Sequence, residues 1–154
     1  MNELLTALHD SALGVWVREA STIWAYPMVI TMHTFGLAVL VGASTAVDLR
    51  ILGVGQRIPL TSIRGFFSVM WIGFWLNAVT GAMLFAADPR TTGIFMIKLL
   101  AVAAGVLLIV LIRRALIGDG RSTTTVTPVA RTYAVLSLLM WVVATTTGRL
   151  MAYL

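Results

Sequence analysis

Apolar residues run along this chain in four long blocks, each ended by charges or proline. The first extends from about Ile23 to Val47, broken only by small polar residues and His33, and Asp48-Leu49-Arg50 closes it. The second runs from Phe66 to Ala87 and stops at Asp88-Pro89-Arg90, where proline cannot continue a helix. The third runs from Ile94 to Ile112, with Lys98 near its start and Arg113-Arg114 at its end. The fourth runs from about Thr132 to Leu154 and carries Arg149 close to its finish. At about 1.5 Å per residue, each block can cross a hydrocarbon layer of about 30 Å. Lipid offers backbone groups no partners, so spanning helices are predicted over about 22–47, 66–87, 94–113 and 131–152.

The stretch before the first block has a different period. Leu4, Leu5, Leu8, Ala12, Val15 and Trp16 fall on one side of a helix, with Glu3, Thr6 and Asp10 opposite. That pattern predicts a short interfacial helix over about 3–17. The expected fold is therefore all-α, an integral membrane four-helix bundle in one domain, 1–154, with an N-terminal interfacial helix. Rows of small residues predict where helices approach: Ala38, Gly42 and Ala46; Gly73, Asn77 and Gly81; Ala101 and Gly105; Ala144 and Gly148. Trp75 with Thr80-Gly81 and Trp141 with Thr147-Gly148 form a faint echo, as two duplicated hairpins would.

Composition agrees with this reading. Hydrophobic residues make up 59% of the chain and charged residues 11%, too few to cover a water-exposed surface. Without cysteine, the chain has no disulfide, thiolate metal site, iron–sulfur cluster or c-type haem attachment. The net charge of +5 resides in short connections beside apolar runs, which points to membrane orientation and not to nucleic acid. Arg50, Arg57, Arg64, Arg113, Arg114, Arg121 and Arg131 flank the first and third connections, against Arg18, Arg90, Lys98 and Arg149 on the other side. The bias predicts a multi-pass protein of the bacterial inner membrane with both termini periplasmic. No basic residue precedes Ser11 and no cleavage pattern follows, so no signal peptide is expected.

Among the spans' polar residues His33 is the most informative, about ten residues deep, or about 15 Å. A histidine there must face other helices, pair, or bind something. It suits a haem iron ligand, a quinone or proton-path contact, or a hydrogen bond to Asn77, Thr80 or Thr145 on a neighbouring helix. A haem usually takes two axial histidines, and His9 is too shallow to be the second; Met70, Met83, Met96 and Met140 are other sulfur donors. Tyr26, Lys98, Arg149 and Tyr153 should gather near the outer boundary. There they either snorkel or hold an anion such as a propionate, lipid headgroup or partner carboxylate. No phosphate loop, nucleophile elbow or zinc-binding His-Glu-x-x-His occurs. The six acidic residues fall in loops or at helix ends, which argues against an acidic relay through the bilayer.

Three stretches carry a resemblance: Trp24-Ala25-Tyr26-Pro27 with Thr31-Met32-His33-Thr34-Phe35-Gly36, then Asp48-Leu49-Arg50-Ile51-Leu52-Gly53, then Gly148-Arg149-Leu150-Met151-Ala152-Tyr153. In order and spacing the chain resembles an uncharacterised bacterial family of four-helix integral membrane proteins. Matching positions are Trp24, Pro27, His33, Asp48, Arg50, Gly148, Arg149 and Tyr153. The resemblance implies the four-helix topology and no established activity. More distantly, the first-span histidine is similar to those of copper-resistance D-type and b561-like proteins, which use several intramembrane histidines. The expected function is a non-catalytic integral subunit, packed among lipids and other integral subunits of a respiratory or photosynthetic redox complex. The alternatives are a haem b- or quinone-binding electron carrier using His33, with Asn77, Lys98, Arg149, Tyr26 and Tyr153 as further contacts, or a small transporter or metal-handling protein.

Overall fold

The computed structural model describes residues 2–57, 59–89, 91–117, 126–151 and 153. Arg90, Arg121, Ala152 and Leu154, used above for orientation, resemblance or the end of the fourth block, lie outside the described residues. Among the described residues six α-helices follow in order: α1 (Asn2–His9), α2 (Ala12–Glu19), α3 (Tyr26–Ile51), α4 (Arg64–Ala87), α5 (Gly93–Ile117) and α6 (Pro128–Leu150). A short 3-10 turn, Leu60–Ile63, leads into α4, and no strand occurs among the described residues. Helices α3 to α6 are long and apolar enough to cross a membrane. The class is as expected, all-α with four helices of spanning length.

The boundaries carry two corrections. The segment expected as one helix over 3–17 is two, because Ser11 interrupts it. Its hydroxyl donates to the Leu8 carbonyl at 2.6 Å and accepts from the Gly14 amide at 3.1 Å, ending one helix and capping the next. The other concerns Asp48-Leu49-Arg50, which does not close the first span. Helix α3 runs through it to Ile51 and stops at Gly53 instead. There the Val54 amide bonds the Leu49 carbonyl and the Gly53 amide bonds the Arg50 carbonyl, with Gly53 at φ 102°. Paired bonds of this kind end a helix in a left-handed residue, where only glycine is unstrained. Asp48 is thereby inside the last turn. At the other end, Pro27 sits in the first turn of α3, where its missing amide costs nothing. Helix α6 opens on Thr127, whose hydroxyl accepts from the Ala130 amide at 3.2 Å, with Pro128 as first residue.

The chain divides into two compact units, Met1–Leu40 with Trp71–Thr91, and Val41–Met70 with Thr92–Leu154. In the first, Val17, Val29 and Ala87 form a buried core with Met83 and Leu84 against it. Gly14 lets α2 pass close to α4: a Cβ there would lie 2.7 Å from the Ala86 carbonyl oxygen. Arg18 then donates to the Ala87 carbonyl at 3.3 Å and the His9 carbonyl at 3.2 Å, so one cation serves the carbonyl ends of two helices. Of the N-terminal apolar residues, Leu4, Leu8, Leu13 and Trp16 remain exposed. In the second unit α5 and α6 pack along their lengths, with Ala101, Gly105, Ile109 and Ile112 buried from one and Ala130, Ala134, Trp141 and Ala144 from the other.

The small-residue rows divide. Gly73 is buried, and Ala101, Gly105 and Ala144 are buried as expected. Ala38, Gly42 and Ala46 all face outward, and a Cβ on Gly42 would meet nothing within 4 Å. On α3 the buried face is instead Gly36, Leu40, Ala43, Ser44, Val47 and Asp48.

Candidate functional site

Among the described residues, two polar clusters lie inside the spanning helices, one in each unit. In the first unit His33 of α3 meets Asn77 and Thr80 of α4. Its Nδ1 lies 3.0 Å from the Asn77 carbonyl oxygen and 3.2 Å from Thr80 Oγ1. The Thr80 hydroxyl donates to the Leu76 carbonyl at 2.6 Å, so its oxygen is available as an acceptor. Asn77 Nδ2, a donor, also stands 3.3 Å from Nδ1, so the ring is held by α4 groups of both kinds at this nitrogen. Asn77 Nδ2 donates back to the His33 carbonyl at 2.8 Å. These reciprocal bonds require a close crossing, and glycine provides it. A Cβ on Gly36 would lie 2.8 Å from the Asn77 amide nitrogen, one on Gly73 2.8 Å from the Leu40 amide nitrogen, and one on Gly81 3.1 Å from His33 Cε1. Of the three partners anticipated for His33, Asn77 and Thr80 are present, while Thr145 donates within its own helix to the Trp141 carbonyl at 2.8 Å.

Asn77→Ala removes the amide that satisfies the α3 backbone and leaves its place empty. It is expected to cost about 1–2 kcal/mol, as interhelical polar contacts in lipid do. Unfolding of the purified variant in mixed micelles measures this, and a loss below about 0.3 kcal/mol would contradict the clamp.

The second unit holds a cluster that sequence reasoning missed. Asp48 and Ser44 lie one turn apart on α3 and are fully buried, as are Ser137 and Trp141 one turn apart on α6. The Trp141 indole N–H donates to Ser44 Oγ at 2.9 Å. Ser44 Oγ stands 3.4 Å from Asp48 Oδ2 and 3.4 Å from Ser137 Oγ. The other carboxyl oxygen, Oδ1, is buried with no partner. An acidic residue read as a helix stop is thus a buried carboxyl. The available signal was the i, i+4 spacing of Ser44–Asp48 and Ser137–Trp141, which sets each pair on one helix face.

The expected outer cluster forms in part. Lys98 of α5 is half-buried against Gly148 of α6, whose Cβ would lie 3.4 Å from Lys98 Cε. Arg149 stacks over the Tyr153 ring at 5.6 Å. Tyr26 is exposed at the head of α3, in the first unit.

Four apolar helices of spanning length, with His33, Asn77 and Thr80 in one cluster between helices and Ser44, Asp48 and Ser137 in another, define a multi-pass α-helical membrane protein. More particularly, residues 9–154 match the model of DUF6644, a family of unknown function, and the chain belongs to that family. No curated protein and no solved structure matches it. The resemblance to an uncharacterised family is upheld by this match, and the likeness to copper-resistance D-type and b561-like proteins gains no support from it.

Proposed function

We propose that this chain is a small non-catalytic integral subunit of a larger complex in the bacterial inner membrane, with its arginine-rich connections in the cytoplasm and both ends in the periplasm. The observation that carries this reading is Trp75. It stands at the middle of α4, 62% exposed, on an outward face it shares with Ile72 and Val79. Membrane tryptophans normally sit at the interface, where the indole N–H meets water or headgroups. At mid-span the N–H needs an acceptor, and no described residue supplies one. A neighbouring protein helix would. The outward row of Ala38, Gly42 and Ala46 on α3 adds a surface on which a second helix can approach closely.

A haem b or quinone carrier centred on His33 draws on one observation: its Nδ1 bonds orient the ring as they do for a ligating histidine. The interhelical clamp accounts for the same bonds without a cofactor, and so leads.

Replacing Trp75 with a photo-crosslinking phenylalanine tests the subunit reading in native membranes. The expected result is a discrete adduct with another integral protein, and a Trp75→Ala chain that migrates in a smaller assembly in mild detergent. Lipid adducts alone, with the unaltered chain migrating by itself, would refute it.

A further inference from the structure

Asp48 presents a problem of charge. Its side chain is 0% exposed, and the ion pairs among the described residues, His9–Asp10 and Arg18–Glu19, do not involve it. A buried carboxylate without a countercharge is too costly to persist, so the site must take up a positive charge from outside the chain. Spacing decides which. Formed O–H···O bonds measure about 2.5–3.0 Å, and both oxygens beside Ser44 Oγ stand at 3.4 Å. These contacts are hydrogen bonds stretched beyond the usual length, loose enough for a ligand to enter between the oxygens. Cations of calcium's size hold oxygens at about 2.3–2.6 Å, and ligands at right angles around such an ion lie about 3.3–3.7 Å apart. The indole of Trp141 occupies one lone pair of Ser44 Oγ, fixing that oxygen and leaving its second lone pair for a ligand. The last turn of α3 adds the negative end of its dipole at Asp48. Among the described residues no three His, Cys, Asp or Glu side chains converge, so a single carboxylate supplies the charge.

We infer that Asp48, Ser44 and Ser137 form a binding site for a monovalent cation of sodium's size, which joins α3 to α6 within the second unit. This inference is independent of whether the chain is a subunit of a larger complex.

The test follows thermal unfolding and tryptophan emission of the purified full chain in detergent, with sodium replacing choline at constant ionic strength. The expected result is a saturable sodium-dependent rise in Tm, absent in Asp48→Asn. Asparagine keeps the side chain's shape and removes its charge. Ser137→Ala, which keeps the carboxylate, is expected to move the sodium midpoint upward by roughly tenfold, the effect of one lost ligand. Equal unfolding in sodium and choline overturns the proposal, as does a sodium response that survives in Asp48→Asn. An infrared carboxylic-acid band that is lost in Asp48→Asn and unmoved by sodium overturns it too, since the charge taken up would then be a proton.

Discussion

Valine at Gly36 or Gly73 is expected to abolish stable folding of the first unit, seen as aggregation of the chain when membranes are solubilised. The two glycines face each other where α3 crosses α4. A Cβ on Gly36 would lie 2.8 Å from the Asn77 amide nitrogen and 3.0 Å from the Gly73 carbonyl oxygen; one on Gly73 would lie 2.8 Å from the Leu40 amide nitrogen and 3.0 Å from the Gly36 carbonyl oxygen. These neighbours are backbone, so no rotamer change relieves the clash and the helices must separate. Separation stretches the His33–Asn77 bonds one turn away and forfeits the dispersion contacts that hold helices together in lipid. The loss should reach about 3 kcal/mol, the upper end of overpacking penalties, at either position. Alanine should cost less than valine but still destabilise. Gly42→Val is the matched control, since its Cβ meets nothing, and it should stay within about 0.5 kcal/mol of the unaltered chain.

Trp141→Ala should be comparably damaging to the second unit, lowering stability by about 3 kcal/mol, the low end for tryptophan truncation. The low end applies because the unfolded reference is also in an apolar medium, so the penalty is mainly the cavity. Trp141 is 2% exposed and its ring packs against Gly105, where a Cβ would stand 2.9 Å from Cζ2. Truncation empties that space and removes the donor that positions Ser44. Trp141→Phe keeps most of the ring and loses only the N–H, so about 1 kcal/mol is expected from it. Reversible unfolding in mixed micelles ranks the two, and equal losses would show that the hydrogen bond, not the ring volume, dominates.

Trp75 and Trp141 show how far sequence reading reaches. Both sit in apolar helices upstream of a Thr-Gly pair and look equivalent along the chain. In the structure one is 62% exposed and the other 2%. A helix apolar on every side has no amphipathic stripe to say which face turns inward. The same ambiguity explains why Ala38, Gly42 and Ala46 were expected at a helix contact that Gly36 provides instead. His33 was legible because a histidine deep in a span must find partners, and the candidates three or four residues apart on one helix were few. Asp48 was not, because an aspartate beside an arginine at the end of an apolar run reads as a helix stop. The actual stop, Gly53, lies five residues on.

By itself the sequence determined the class of the protein and the number of helices long enough to span, because run length and the near absence of charge are matched directly against bilayer thickness. It also determined that His33 needs a partner. Only the tertiary structure decided which face of each helix is buried, and with it the crossing at Gly36 and Gly73, the Trp141–Gly105 contact and the burial of Asp48. In lipid the outside of a helix is as apolar as its inside. Which face is covered therefore depends on how closely backbones and side chains fit, and no pattern along one chain encodes that fit.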